Sequence, residues 1–315
     1  MLLNACVIET GNSSTATPST QFNWTRFGAF SNTPIINNTS NLIFDNSTKS
    51  LYNYSFGGSR ICQLDVNADN NTGWNCKIQI PTIDTISRNL LGDNNGHLYI
   101  QVTKFIGNIV DSYYILTYNT INNTWNPAPI KIDSQEFGAT AIFNGLLYMA
   151  ESTELYSFDL NTGNQKETFF NFFTPAISQE HASGDLSIDN QGDVFYYSGT
   201  YNQLFAKNIA ESGDARQIGV GNTHFMGHIA VYDNHIYTCG SDSEYSIATN
   251  ANSSTQWDTI IPIADTTISG QVFPIGCLNL TAGGGYLYAY GQYLSSPSDF
   301  SNDSTEYTMT KQSIH

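Results

Sequence analysis

A turn built from Asp, Asn or Gly, then an apolar residue, then an aromatic recurs six times along this chain. The copies are Phe44-Asp45-Asn46-Ser47-Thr48-Lys49-Ser50-Leu51-Tyr52, Gly92-Asp93-Asn94-Asn95-Gly96-His97-Leu98-Tyr99 and Phe143-Asn144-Gly145-Leu146-Leu147-Tyr148. They continue as Ile188-Asp189-Asn190-Gln191-Gly192-Asp193-Val194-Phe195, Tyr232-Asp233-Asn234-His235-Ile236-Tyr237 and Ala282-Gly283-Gly284-Gly285-Tyr286-Leu287-Tyr288. The aromatic anchors stand at 52, 99, 148, 195, 237 and 288, between 42 and 51 residues apart. A period of that size marks an array of like units, each of which has to bury its faces against its neighbours.

The flanks of each copy say what the unit is. A strand rich in small apolar residues precedes the turn, as in Gly138-Ala139-Thr140-Ala141-Ile142-Phe143. A further strand follows the anchor, as in Glu154-Leu155-Tyr156-Ser157-Phe158-Asp159. A polar turn then leads to a fourth strand that Trp74, Trp125 or Trp257 opens. Composition agrees: 19 Tyr and 18 Phe favour the pleated surface of a strand, while charged residues reach only 12%. No long segment has a period near 3.6, and no run of 18 apolar residues could span a bilayer. Four short strands per 40–50 residues is the arithmetic of a propeller blade. The expectation is an all-β, six-bladed β-propeller of four-stranded antiparallel blades: a single domain over 21–315, preceded by a polar tether over 1–20.

Ring closure leaves its own signature. The sixth copy ends after its third strand near Thr305-Glu306-Tyr307-Thr308-Met309-Thr310. The N-terminal segment Gln21-Phe22-Asn23-Trp24-Thr25-Arg26-Phe27 is a spare strand, expected to complete the last blade and remove two open edges. The repeat resembles kelch and quinoprotein-like propellers, whose blades pair an Asp/Asn-Gly-x-Leu-Tyr turn with an outer half opened by Trp. It departs from kelch in its glycine pair, since only Gly283-Gly284 echoes it, and in a different place. The resemblance implies the fold and little more.

The formal charge of −16, from 11 basic and 27 acidic residues, sets the chain against polyanions and argues against nucleic-acid binding. Five cysteines bear on the compartment. Cys62 and Cys76 fall in two strands joined by the turn-rich Asn67–Gly73, where a cross-strand disulfide is sterically reasonable. Cys239 and Cys277, in adjacent repeats, are candidates for a second bridge, with buried thiols the alternative for each pair. Bridges imply an oxidising compartment. Leu2-Leu3-Asn4-Ala5-Cys6 resembles the lipobox of bacterial lipoproteins, which implies a lipid anchor at Cys6 as the chain's only route to a membrane. The expectation is therefore a monomer outside the cytoplasm, at a bacterial cell envelope, lipid-anchored or secreted. Sequons at Asn23, Asn46, Asn53, Asn122, Asn252 and Asn279 do not decide the host in a chain so rich in Asn, Ser and Thr.

By analogy with other propellers, ligands meet the loops that join the fourth strand of one blade to the first of the next. These fall near 81–89, 132–138, 175–184, 219–228 and 263–275, with 26–36 as the sixth. They hold Glu136, Glu180, His181, His224 and His228, including three of the six histidines. Such a set could position an acid and a base, and His181, His224, His228 and Glu180 could hold a divalent metal. The other reading is polar rim residues that satisfy backbone groups, and no His-Glu-x-x-His spacing argues against it. Asp93-Asn94-Asn95-Gly96 and Asp189-Asn190-Gln191-Gly192 look like fragments of calcium loops but sit where the repeat needs turns. Phe169, Phe170, Phe172 and Phe173 are either inter-blade packing or a contact patch. The leading functional expectation is a binding propeller for a protein or glycan. The alternative is a metal-assisted lyase or hydrolase at the channel mouth.

Overall fold

Among the described residues strand β1 (Thr25–Ser31) comes first, and 24 further strands follow in six sheets. Blade I holds β2 (Ile43–Asp45), β3 (Ser50–Tyr54), β4 (Arg60–Asp65) and β5 (Asn75–Gln79). Blade II holds β6 (Thr85–Gly92), β7 (His97–Ile106) and β8 (Ile109–Asn119), and its outer position is shared by β9 (Thr124–Trp125) and β10 (Ile130–Ile132). Blade III holds β11 (Ala139–Phe143), β12 (Leu146–Glu151), β13 (Glu154–Asp159) and β14 (Gln165–Phe169). Blade IV holds β15 (Asp185–Ile188), β16 (Asp193–Ser198), β17 (Gln203–Asn208) and β18 (Arg216–Ile218). Blade V holds β19 (Phe225–Tyr232), β20 (His235–Gly240), β21 (Glu244–Ala248) and β22 (Asp258–Ile260). Blade VI holds β23 (Gly276–Gly283), β24 (Tyr286–Leu294) and β25 (Thr305–Ser313), with β1 as its outermost strand. All pairings within the blades are antiparallel, and no helix occurs among the described residues. This computed structural model describes residues 25–31, 36, 41–55, 57–69, 71–81, 85–107, 109–132, 138–151, 153–169, 171–172, 185–198, 203–220, 225–240, 244–260, 276–294 and 305–314.

The recurrent apolar–aromatic pair has a geometric reason. Successive side chains on a strand point to opposite faces of the sheet. In the second strand of each blade the apolar member therefore packs on the preceding blade and the aromatic on the following one. Leu51, Leu98, Leu147, Val194 and Ile236 join the clusters shared with the blade before. Tyr52, Tyr99, Tyr148, Phe195 and Tyr288 join those shared with the blade after. All six anchors are buried. The core is thus a ring of inter-blade layers.

Closure follows the sequence-based expectation. β1 pairs with β25 from Thr25↔Lys311 to Ser31↔Tyr307, so the pairing takes in residues 25–27 of the expected segment and runs on to Ser31, while 21–24 lie outside the described residues. Phe27 is buried between the last blade and the first, 6.0 Å from the Tyr288 ring. The misplaced glycine pair also finds its reason here. Phe44 of blade I stacks on Tyr288 at 5.3 Å, and a Cβ on Gly283 would stand 2.2 Å from the Phe44 ring. Gly283 serves ring closure rather than a kelch signature.

The disulfide Cys62–Cys76 joins β4 to the start of β5. The side chains of Cys239 and Cys277, together with Cys6, lie outside the described residues. Phe169 and Phe172 pack at the junction of blades III and IV, their rings 5.9 Å apart, with the Lys207 ammonium 4.5 Å above Phe172. Those two are core; Phe170 and Phe173 lie outside the described residues.

Candidate functional site

The first strands of the six blades surround an axial cavity of about 580 Å³. Each of these strands runs from the mouth, where the loops from the preceding blade enter, to the turn at the opposite rim. That far rim carries Asp93, Asn94, Asn144, Asp189 and Asn190. Its carboxylates are turn residues. Asp93 accepts the N–H groups of Asn95 and His97 at 2.8 and 3.0 Å and meets the His97 ring at 2.9 Å. Asp189 accepts those of Gln191 and Asp193 at 2.8 and 2.9 Å. The two calcium-like fragments are therefore side-chain-capped turns.

At the mouth, the structure brings Asp185 and His228 together. Asp185 opens β15, and His228 lies in β19 of the next blade. Both line the cavity, and both are partly open to it. One Asp185 oxygen accepts the N–H of Leu186 at 3.0 Å and the other that of Ile229 at 2.8 Å, so the carboxylate clamps blade IV to blade V. Burial in the channel wall pushes the Asp185 pKa up, against the positive charge of His228 and the two N–H donors. The backbone carbonyl of His228 accepts from Thr238 Oγ1 at 2.8 Å, which ties this part of β19 to β20 and holds His228 in the cavity wall. A carboxyl held towards its neutral form beside an imidazole is competent for proton transfer and for binding charged ligands.

Glu136, Glu180, His181 and His224 lie outside the described residues. Among those described, no group of three or more His, Cys, Asp or Glu side chains is placed to hold a metal ion. Asp185 was not anticipated from sequence. Its one local signal is its position immediately before the apolar residue of a first strand, which Asn89 and Asn279 also occupy.

A second feature stands on the same face. Hairpins between second and third strands rise at the mouth end, and among the described residues that of blade II has the longest strands. β7 and β8 have 10 and 11 residues, against nine in each of β24 and β25 and six in each of β12, β16 and β20. Four extra residues at about 3.3 Å each make β7 roughly 13 Å longer than β12, β16 or β20. The tip is apolar and open: Ile106 is 64% exposed, Ile109 75% and Val110 38%. Lys104 and Asp111 pair across its stem at 3.7 Å.

No known protein family matches the chain, and neither does any curated protein. Solved structures do. One titled "Structure of U3-55K" aligns with a TM-score of 0.56 at 10% identity, covering 88% of this chain and 95% of that one. Hsv2 of Kluyveromyces lactis aligns with a TM-score of 0.44 at 11% identity, covering 80% and 71% respectively. Identity this low shows the propeller fold alone.

Proposed function

We propose that the chain is a non-enzymatic binding propeller that engages a protein or glycan through the face carrying the channel mouth. The observation that carries this reading is the β7–β8 tip. Three apolar side chains raised into solvent cost solubility and add nothing to the core, so their value lies in a contact. Burying each fully against a partner contributes about 1.5–3 kcal/mol. Propeller folds commonly serve as interaction scaffolds, which fits. The Cys62–Cys76 bridge supports an oxidising compartment, and the lipobox-like segment before Cys6 supports tethering at a bacterial envelope.

The test is a triple variant, Ile106→Ser, Ile109→Ser and Val110→Thr. Wild type and variant would be compared on a glycan array and by cross-linking to purified envelope proteins. Binding at least tenfold weaker in the variant, at unchanged melting temperature, supports the hairpin as the contact. Equal binding removes it. The anchor is tested by labelled palmitate, which the native chain incorporates and a Cys6→Ser chain does not.

One observation favours a lyase or hydrolase instead: the Asp185–His228 pair has the raised carboxyl that acid–base chemistry requires. On that reading Glu136, Glu180, His181 and His224 would complete the site with a divalent metal. His181→Ala and His228→Ala would then abolish turnover, whereas on the binding reading they leave partner affinity largely intact.

A further inference from the structure

Among the described residues, three blade junctions carry a side-chain bracket at the channel mouth, and in two of them one acceptor group takes an N–H from each blade. Between blades VI and I, Asn279 Oδ1 accepts the N–H groups of Leu280 and Leu42, both at 3.0 Å. Between blades II and III, Asn89 Oδ1 accepts the N–H of Leu90 at 3.0 Å, and its amide reaches Thr140 Oγ1 at 3.5 Å. Between blades IV and V the bracket is Asp185. An amide therefore suffices for the structural task, since one amide oxygen at Asn279 takes both N–H groups. At Asp185 the chain spends a negative charge that burial penalises and that the bracket does not need.

The contrast with Asp45 sharpens the point. That buried carboxylate accepts from Ser47 N–H, Thr48 Oγ1, Gly96 N–H and Thr120 Oγ1, at 3.1, 2.9, 3.1 and 2.6 Å, and so fills its acceptor sites within the protein. Asp185 has two donors among the described residues and faces a cavity of small-molecule size. The other carboxylates of that cavity, Asp93 and Asp189, are occupied as turn caps. A neutral donor would be served equally well by Asn at this position. A positively charged ligand would not.

We propose that the channel mouth binds a small organic cation, its ammonium or guanidinium group seated on the Asp185 carboxylate. Its apolar body rests on the wall formed by Leu91, Ala141, Leu186 and Leu280. His228 supplies a further polar contact from the next blade and sets a limit on how much positive charge the site accepts. This site stands independently of whichever partner meets the β7–β8 tip.

The experiment is a calorimetric titration of the full chain with 1-aminobutane, 1,4-diaminobutane and butylguanidinium, with 1-butanol as the neutral isostere. It is repeated on Asp185→Asn, which the Asn279 bracket shows to be compatible with the fold. Saturable binding of the amines, at least tenfold weaker for 1-butanol and at least tenfold weaker in Asp185→Asn, is expected. Should Asp185→Asn fail to fold, the amine-to-alcohol ratio in the wild type and retention of binding in Asp185→Glu decide the matter. No saturable response to any of the three cations overturns the proposal, as does equal affinity for 1-butanol or for the Asn variant.

Discussion

Asp185 accepts one backbone N–H on each oxygen, and burial in the channel wall raises its pKa. The folded state therefore holds that proton more tightly than the unfolded chain does. Between the ordinary carboxyl value and the raised one, the folded state carries more protons, so the contribution of this group to stability falls as pH rises. Asp69 and Asp159 act in the opposite sense. A Thr72 hydroxyl and backbone N–H groups hold Asp69 below its usual value; the N–H of Asn161 and the Lys166 ammonium do the same for Asp159. The difference between wild type and Asp185→Asn cancels those two. Urea unfolding across the acidic to neutral range should show the variant gaining stability relative to wild type as pH rises. A flat difference would mean that Asp185 titrates as a solvated carboxyl. This residue escaped sequence reasoning because its meaning lies in its partner, an N–H 44 positions away on the next blade, and no local motif encodes that distance.

The strands themselves divide into those whose pattern announces them and those whose length matters. The apolar–aromatic pairs were legible because both faces of each sheet are buried, and a fixed pair recurs wherever one blade contacts two neighbours. The Trp-opened fourth strands were legible for a similar reason: Trp257 donates from Nε1 to the Val220 carbonyl of the adjacent blade at 3.2 Å. The length of the β7–β8 hairpin was not, because the spacing of the anchors does not say how the residues between them divide between strand and loop. The β4–β5 hairpin was legible through its cysteines. Its bridge closes a loop with a sequence separation of 14, for which chain entropy gives about 3 kcal/mol. Cys62→Ala/Cys76→Ala should lower unfolding free energy by roughly 2–3 kcal/mol, plus any cavity cost at the fully buried Cys62. Denaturant titration of the intact protein with and without reductant checks it, and the reduced wild type should show the loss of the bridge alone.

A closed ring places its weakest point where the chain ends meet. Blade VI is the one blade assembled from both ends of the chain, and β1 covers the outer edge of β25 from Lys311 to Tyr307. Two effects are combined there and can be separated. Phe27 fills the junction with blade I beside Tyr288, under the Lys311 ammonium at 5.2 Å, and its loss leaves a cavity worth about 3–5 kcal/mol. The strand backbone covers an edge that would otherwise be open to pairing with another chain. Phe27→Ala should therefore lower stability by that amount while leaving the association state unchanged, because the edge stays covered. Deleting residues 1–31 removes both contributions. That form should unfold at lower denaturant than Phe27→Ala and self-associate in proportion to concentration, as size-exclusion chromatography with light scattering would show. If the deletion instead matches Phe27→Ala in midpoint and in mass, closure rests on the side chain alone. The remaining inter-blade layers would then hold the ring without its last strand.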